Sequence, residues 1–440
     1  MSVINGSLRD LADPAALRYG ISRLPTFRPE VYLRLNSDLT SETNAIEHFI
    51  AHGLWEGRPY CSEQSVVAAI RRLSPSYSGA EPLPEQDLVD ALVHATSQGI
   101  SIYVHSTSDT KVRLRAELTS IALMSRGIPV HLHDETHSID VQVQNRIFFA
   151  PHEFFFRQGG ERWLSKGIVS SAILYPTQPL HSIPGARILP LLFSCRAVID
   201  DNEQNCSLYA CCDIPFARYL PLPLDEESIF VDNDKSDALS MSVRDDINEK
   251  YRPAESWSSR PLDLCYFGSG HSIRDEVFLK GAANFARLRC FINYPERDRS
   301  SAVLRARGPQ RVSVQNVVAR NSKILLNIDV QEIGSLAWYE SCLLGFWNRT
   351  LIVSRPLYPH PIFRPGEHFL EETSRNIPDL VSWLVSTEEG IELGRKIVAR
   401  AYMALSSAYM PDHAVEPLIK LLHTSRAHLH ANGSSVPCRL

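Results

Sequence analysis

The sequence predicts an α/β protein of two domains, each built on a parallel sheet, with a small helical region in front. Three observations lead there. Residues 323–372, KILLNIDVQEIGSLAWYESCLLGFWNRTLIVSRPLYPHPIFRPGEHFLEE, read as strand, polar loop, helix and strand. A second stretch of the same order begins at Ile100. A chain of 440 residues also exceeds one comfortable hydrophobic core and suits two or three domains. Strands alternating with helices are the building block of a parallel sheet.

Composition narrows the function. With 44% hydrophobic and 22% charged residues the chain has the balance of an ordinary globular protein. A net charge of −5 gives no electrostatic case for nucleic acid. No apolar run reaches the roughly 18 residues needed to span a bilayer. The start, MSVINGSLRDLADP, lacks the basic and apolar regions of a signal peptide. Nine scattered cysteines imply reduced thiols and a cytoplasmic location. Cys195, Cys206, Cys211 and Cys212 lie close together, but two are adjacent and no CxxC spacing is present. They read as buried thiols, and no metal is expected.

Residues 1–62 read as a separate helical module. Ile46, Phe49 and Ile50 recur at helical spacing, and Gly53 reads as a helix stop. Asn36-Ser-Asp38 and the run His48-Phe49 through Arg58 resemble the "NPDV" and "HYxxHGxxEGR" hallmarks of a short helical repeat often attached to bacterial glycosyltransferases. His48, His52 and Glu56 fall four residues apart, yet packing or capping histidines outweigh a metal site. The module is expected to be a structural element or a dock for a protein partner. Residues 63–97 carry helices at 66–73 and 88–95 around a linker at 74–86 rich in Pro, Ser and Gly.

The first α/β domain is expected over 98–255. Ile100 to His105 is a strand, Val112 to Arg126 a helix stopped by Gly127, and Pro129 to His133 the next strand. This βαβ unit lacks a GxGxxG fingerprint, so dinucleotide binding is unsupported. Arg146–Ala150, Ala172–Tyr175 and Arg187–Phe193 read as further strands. His105 and His152-Glu153 stand just past strand ends, where a base or orienting group belongs. The plainer alternative is that they are ordinary loop residues. Residues 225–261 are polar and read as the inter-domain connection.

The second α/β domain is expected over 256–425, before a tail at 426–440. Leu262 to Phe267 is a strand that runs into Gly268-Ser-Gly270 and a helix. Gly268 and Gly270 with Arg274 and Lys280 suggest a diphosphate cradle. Leu288–Asn293 and Arg311–Val314 are strands. Ile324–Ile328 and Thr350–Ser354 are buried strands on either side of a helix at Leu336–Leu344, with Gly345 as its stop. Glu332 precedes that helix and Glu340 lies in it; a carboxylate on a buried helix needs a partner, and a ribose offers two hydroxyl donors. Helices at Ile377–Val385 and Glu388–Ser407 close the domain.

The second half resembles the nucleotide-binding half of GT-B glycosyltransferases of the Glu-x7-Glu type. Glu332 and Glu340 match the two family glutamates, and Gly345 with Leu351-Ile-Val353 matches the family's small-residue helix end and buried strand. Gly334 sits two residues after the first glutamate, where the family usually has three. The resemblance implies two Rossmann-like domains facing a cleft, and a helix from about His413 that crosses back to the first domain. It also implies that Glu340 binds ribose and that Glu332 lies near the donor sugar. Gly334, Ser335, Arg274 and Lys280 would then surround the diphosphate. His152 resembles the cleft histidine that retaining members carry.

The expected activity is therefore metal-independent transfer of a sugar from a nucleotide-sugar donor to a glycan or protein acceptor, with no cofactor. Such work belongs to bacterial glycan or glycoprotein biosynthesis. Two alternatives stand beside it. One is a silent scaffold of the same fold that binds a nucleotide sugar or a partner glycosyltransferase. The other is a nucleotide-sugar epimerase. Donor hydrolysis without acceptor separates the first from an active enzyme, and epimerised sugar nucleotide would reveal the second.

Overall fold

The computed structural model describes residues 8–9, 11, 13–73, 85–140, 145–219, 256–268, 271–293, 315–329, 341–408 and 415–422. The chain divides into two compact units, residues 1–224 with 411–440, and residues 225–410.

The first unit opens with helices whose starts are written in the sequence. α1 is Pro14–Arg23, where Pro14 needs no amide partner and the Asp13 carboxylate accepts from Ala15 N at 3.0 Å. α2 is Pro29–Leu35 and α3 is Ala45–His48, capped by the Asn44 side chain. α3 runs through a π-helical turn, Phe49–Gly53, into α4, Leu54–Glu56. Gly53 is thus not a helix stop. A β-carbon there would fall 2.1 Å from the Tyr32 hydroxyl, so the glycine permits close packing. The stop is Gly57, at φ 70°. His48 is a packing residue, its Nδ1 lying 2.9 Å from the Tyr32 hydroxyl.

α5 (Glu63–Ile70) and α6 (Glu85–Gln98) lead to the sheet. The linker expected at 74–86 lies mostly outside the described residues. β1 (Ile100–Tyr103), α7 (Thr110–Ser125), β2 (Val130–His133) and β3 (Arg146–Phe149) keep the expected order. α8 (Pro151–Phe154), α9 (Lys166–Ser171) and β4 (Ala172–Tyr175) come next.

The expected strand at Arg187–Phe193 is instead two short helices, α10 (Ile183–Arg187) and α11 (Leu189–Leu192). A short apolar run does not distinguish buried helix from buried strand, and Pro190 in the first turn favours the helix. β5 (Ala197–Asp200), α12 (Glu203–Cys211) and β6 (Phe216–Arg218) complete a six-stranded sheet of order β2-β1-β3-β4-β5-β6, parallel throughout.

Side chains alternate across this sheet. Ile102, Ile147, Ile173 and Ile199 share one core with Leu123 of α7 and with Val415, Leu418, Ile419 and Leu422. Residues 416–422 are helical and return to the first unit, as Arg196 donating to the Leu422 carbonyl also records. Tyr103, Phe148, Leu174 and Val198 face the other way. They share a core with Leu17, Ile21, Phe27, Tyr32, Phe49, Leu54 and Tyr60. Residues 1–62 are therefore not a separate module. Their apolar face completes the core of the first unit, and Tyr60 Oη donates to the Leu180 carbonyl at 3.2 Å.

The second unit holds β7 (Leu262–Phe267), α13 (Ser272–Lys280), α14 (Ala282–Phe285), β8 (Cys290–Asn293) and β9 (Ser322–Asn327). Then come α15 (Leu343–Trp347), β10 (Leu351–Ser354), β11 (Leu370–Glu371), α16 (Ile377–Ser386) and α17 (Glu388–Ala408). Its five-stranded parallel sheet has the order β11-β10-β9-β7-β8. The strand expected at Arg311–Val314 lies outside the described residues; residues 315–320 are helical.

Gly345 sits within α15 rather than after it. A β-carbon would lie 2.7 Å from Ile352 Cγ1, so its role is to let α15 lie close on β10. Arg349, at φ 52°, takes the left-handed turn after the helix, and Thr350 N bonds back to the Gly345 carbonyl at 2.7 Å.

A chain lacking residues 1–62 is expected to lose the fold of the first unit. The shared core is also expected to make Phe49→Ala cost about 3–5 kcal/mol, read as a lower urea midpoint of the full chain.

Candidate functional site

In a parallel sheet, ligands collect where successive connections leave in opposite directions. In the first unit the chain goes from β1 outward to β2, and from β3 the other way to β4. The loops after β1 and β3 therefore part, and a cavity of about 740 Å³ lies there. His105, Ser106 and Thr107 line it from the β1 loop, Glu135 and Thr136 from the β2 loop, and Arg157, Gln158 and Gly159 from the segment after α8.

His105 is buried and both ring nitrogens are engaged. Nε2 donates to the Gln158 carbonyl at 3.1 Å, and Nδ1 accepts from Thr107 N at 3.1 Å. With that lone pair occupied, His105 is a clamp between two loops and is poorly placed to be a base. Glu135 is buried as well, its carboxylate taking Ser106 N at 2.7 Å and the Ser106 hydroxyl at 2.5 Å. Burial pushes the Glu135 carboxyl up, but the Ser106 hydroxyl and N–H outweigh it and hold the group below the ordinary carboxylate range. The Glu135 carbonyl accepts from Arg162 at 2.6 Å and from the Trp163 indole at 3.2 Å. Arg157 bonds Thr107 Oγ1 at 3.0 Å and pairs with Glu153 at 2.9 Å.

β3 ends in a strained turn. Ala150 is fully buried at φ 46° and ψ 62°, a left-handed conformation that is costly for a residue with a β-carbon. The turn projects the four-residue α8, which carries His152 and Glu153. His152 Nδ1 is buried with no hydrogen-bond partner among the described residues, and so is one oxygen of Glu153. Burial depresses the His152 imidazole below its ordinary value; Glu153 pulls it back and Arg157 adds to the fall. A neutral imidazole with an unoccupied ring nitrogen can accept a proton.

The second sheet reverses its connections between β7 and β9. Gly268 ends β7, packed so close that a β-carbon would meet the Tyr266 hydroxyl at 2.1 Å. Arg274 Nε donates to the Ile328 carbonyl at 3.0 Å, and Arg355 Nη1 to the Asp329 carbonyl at 2.5 Å, so two guanidinium groups reach the chain just after β9. Lys280 does not join them. It closes the last turn of α13, about 12 Å along the axis from the amino end, and pairs with Glu276. Glu332, Gly334, Ser335, Glu340 and Gly270 lie outside the described residues.

In fold, the chain resembles glycosyltransferases of known structure. Anabaena HepE, solved in complex with UDP-glucose, is 6% identical, with a TM-score of 0.43, covering 76% of this chain and 99% of that one. A glycosyltransferase from Rickettsia africae is 10% identical, with a TM-score of 0.39, covering 76% and 98%. A DNA-modifying β-glucosyltransferase is 11% identical, with a TM-score of 0.41, covering 74% and 99%. No family model and no curated protein matches the chain. At such identities the likeness says nothing about a substrate, and the two parallel sheets themselves define the fold.

Sequence reasoning missed Glu135, Arg157 and Arg355. The available signal was position: Glu135 and Arg355 each stand within two residues of a strand end. Among the described residues, no group of histidine, cysteine or acidic side chains is arranged to hold a metal, and no helix is long and apolar enough to cross a membrane. Cys206 and Cys212 are buried free thiols.

The depressed Glu135 carboxyl contributes stability that is present above the ordinary carboxylate range and disappears as pH falls through the folded-state value. Glu135→Gln is expected to destabilise the chain by about 1.5–3 kcal/mol near neutral pH. The difference between the two proteins in urea unfolding should shrink once the pH has fallen below the ordinary carboxylate range and through the folded-state value.

Proposed function

We propose that this protein is a glycosyltransferase that moves a sugar from a nucleotide-sugar donor to a hydroxyl of a glycan or protein acceptor. Each parallel-sheet unit, taken by itself, supplies one of the two observations that carry the reading. The first has a polar cavity at its reversal point and, just past β3, the His152 imidazole, whose Nδ1 has no hydrogen-bond partner among the described residues. The second has a close-packed glycine, Gly268, and two guanidinium groups at its own. The first set suits a polyhydroxyl acceptor, with the Glu135 carboxylate accepting from sugar hydroxyls. The second suits a diphosphate, since guanidinium groups recognise phosphate oxygens.

In this reading the acceptor oxygen forms a bond to the anomeric carbon of the donor while the bond from that carbon to the diphosphate breaks. The acceptor proton passes to His152, and Glu153 and Arg157 tune that imidazole. Arg274 and Arg355 balance the charge on the departing nucleoside diphosphate, so the protein needs no metal of its own. Glu340 accepts from the ribose hydroxyls, and Glu332, Gly334, Ser335, Gly268 and Gly270 border the donor sugar and phosphates. His105 shapes the acceptor loops without touching the proton.

A thermal-shift panel of nucleosides, nucleoside diphosphates and their sugars tests the donor side. Glu340→Ala is expected to weaken nucleotide binding by roughly 10- to 150-fold, the worth of a charge-assisted hydrogen bond. Arg274→Ala should weaken the diphosphate far more than the nucleoside. His152→Ala should lower turnover about 100-fold or more and leave donor affinity little changed. Unaltered turnover would remove His152 from the reaction, and a panel without any nucleotide response would remove the donor reading.

A further inference from the structure

We infer that the amino-terminal helices brace the strained turn from Ala150 to Glu153 and so position His152, making Leu54 and Tyr60 positioning residues. The inference rests on the catalytic role proposed for His152.

The turn cannot hold itself. A left-handed alanine is disfavoured by its β-carbon, and a four-residue helix has no stability of its own in water. Its backbone bonds are short-range apart from Ala150 N to the Tyr175 carbonyl at 2.9 Å: Glu153 N and Phe154 N both reach back to the Ala150 carbonyl, at 2.7 and 2.9 Å. Its surroundings must supply the rest. On the cavity side, Arg157 reaches the β1 loop and His105 holds the Gln158 carbonyl. At its far end the chain folds back so tightly that a β-carbon on Gly160 would lie 1.6 Å from the Phe154 carbonyl oxygen.

A further neighbour is α10. It lies against α8, and it also lies against α4 from the amino-terminal helices. Arg187 of α10 sits 5.5 Å over the ring of Phe156, just past α8. The segment leading into α10 is itself tied to the amino-terminal region. Tyr60 Oη donates to the Leu180 carbonyl at 3.2 Å, and the Cys61 thiol to the His181 carbonyl at 3.8 Å. Phe154 and Phe155 are buried in the same core as Leu54 and Tyr60. A continuous packed path thus runs from α4 through α10 to the helix that carries His152. Loosening α10 lets α8 move outward, which hydrates His152 and misaligns its free nitrogen.

The test uses the full chain, labelled at histidine, and tracks the His152 ring by NMR through a pH titration, with the signal assigned by its loss in His152→Gln. Three variants are compared: Leu54→Ala, Tyr60→Phe, and Leu123→Ala, whose side chain is buried on the other face of the same sheet. Glu153 and Arg157, the charges that act on His152, are unchanged in all of them. Leu54→Ala and Tyr60→Phe are expected to move the His152 titration back toward that of an ordinary imidazole, and Leu123→Ala to leave it in place. Where transfer can be assayed, the first two should lose about 10- to 100-fold in turnover with donor KM unchanged. If Leu54→Ala does not fold, the conservative Tyr60→Phe still reports.

A titration unmoved in Tyr60→Phe and Leu54→Ala, or moved equally in Leu123→Ala, overturns the inference. Because the titration needs no substrate, it separates failure of the brace from failure of the transferase reading. A moved titration with no effect of His152→Ala on turnover would keep the brace and sink only the catalytic role.

Discussion

One buried imidazole holds together two loops that the sheet drives apart. The connections after β1 and β3 leave in opposite directions, which opens a crevice but gives its walls no backbone pairing. His105 closes that gap by taking the Thr107 N–H on one nitrogen and giving its proton to the Gln158 carbonyl on the other. Its tautomer is set by the carbonyl, which can only accept. Around this contact Glu135 gathers both donors of Ser106, and Arg162 and Trp163 secure the β2 loop through its carbonyl. The cavity walls are therefore held by polar contacts between neighbouring loops, which follow the buried strands β1 and β3 and the half-exposed edge strand β2.

The periodic parts of the chain were legible before the structure. The buried strand Ala172–Tyr175 stands on its apolar run, as expected of a strand covered on both faces, and Leu262–Phe267 does so although the ion-paired Asp263 interrupts its run. Difficulties arose where one residue type serves two purposes. Gly53 and Gly345 looked like helix ends, yet both stand inside helical turns because a neighbouring side chain occupies the space of a β-carbon. The run Arg187–Phe193 has the composition of a strand but the proline of a helix start. In the candidate site the sequence showed positions rather than roles: His105 and His152 stand just past strand ends and Arg274 in the first turn of α13, whereas Glu135 and Arg157 acquire meaning only when separate loops are brought together. Lys280 illustrates the reverse, a nearby number on a helix that carries it away.

The amino-terminal helices show why a familiar local pattern does not define a domain. Their turns and histidines form a recognisable unit, and a Pro- and Ser-rich segment comes after them at 74–86. Independence, however, depends on where the apolar surface goes. Leu17, Ile21, Phe49 and Tyr60 are buried with Phe148 and Trp163. Gly20 is tight against the Phe193 ring, and Arg23 and Tyr19 meet Asp213, far along the chain. The segment is one wall of the first unit.

The return of residues 415–422 to the first unit has a consequence for biosynthesis. The second unit is an insertion between two parts of the first. On the ribosome, the face of the first sheet formed by Ile102, Ile147, Ile173 and Ile199 stays uncovered by Leu418, Ile419 and Leu422 while the whole insertion is translated. At about 5–20 residues per second that interval lasts on the order of ten seconds or more, long enough for exposed apolar surface to find other chains. The inserted unit can fold first, and the earlier-made unit closes only after it. Nascent-chain holdases should therefore engage this protein through its first half, and release it when synthesis has passed Leu422.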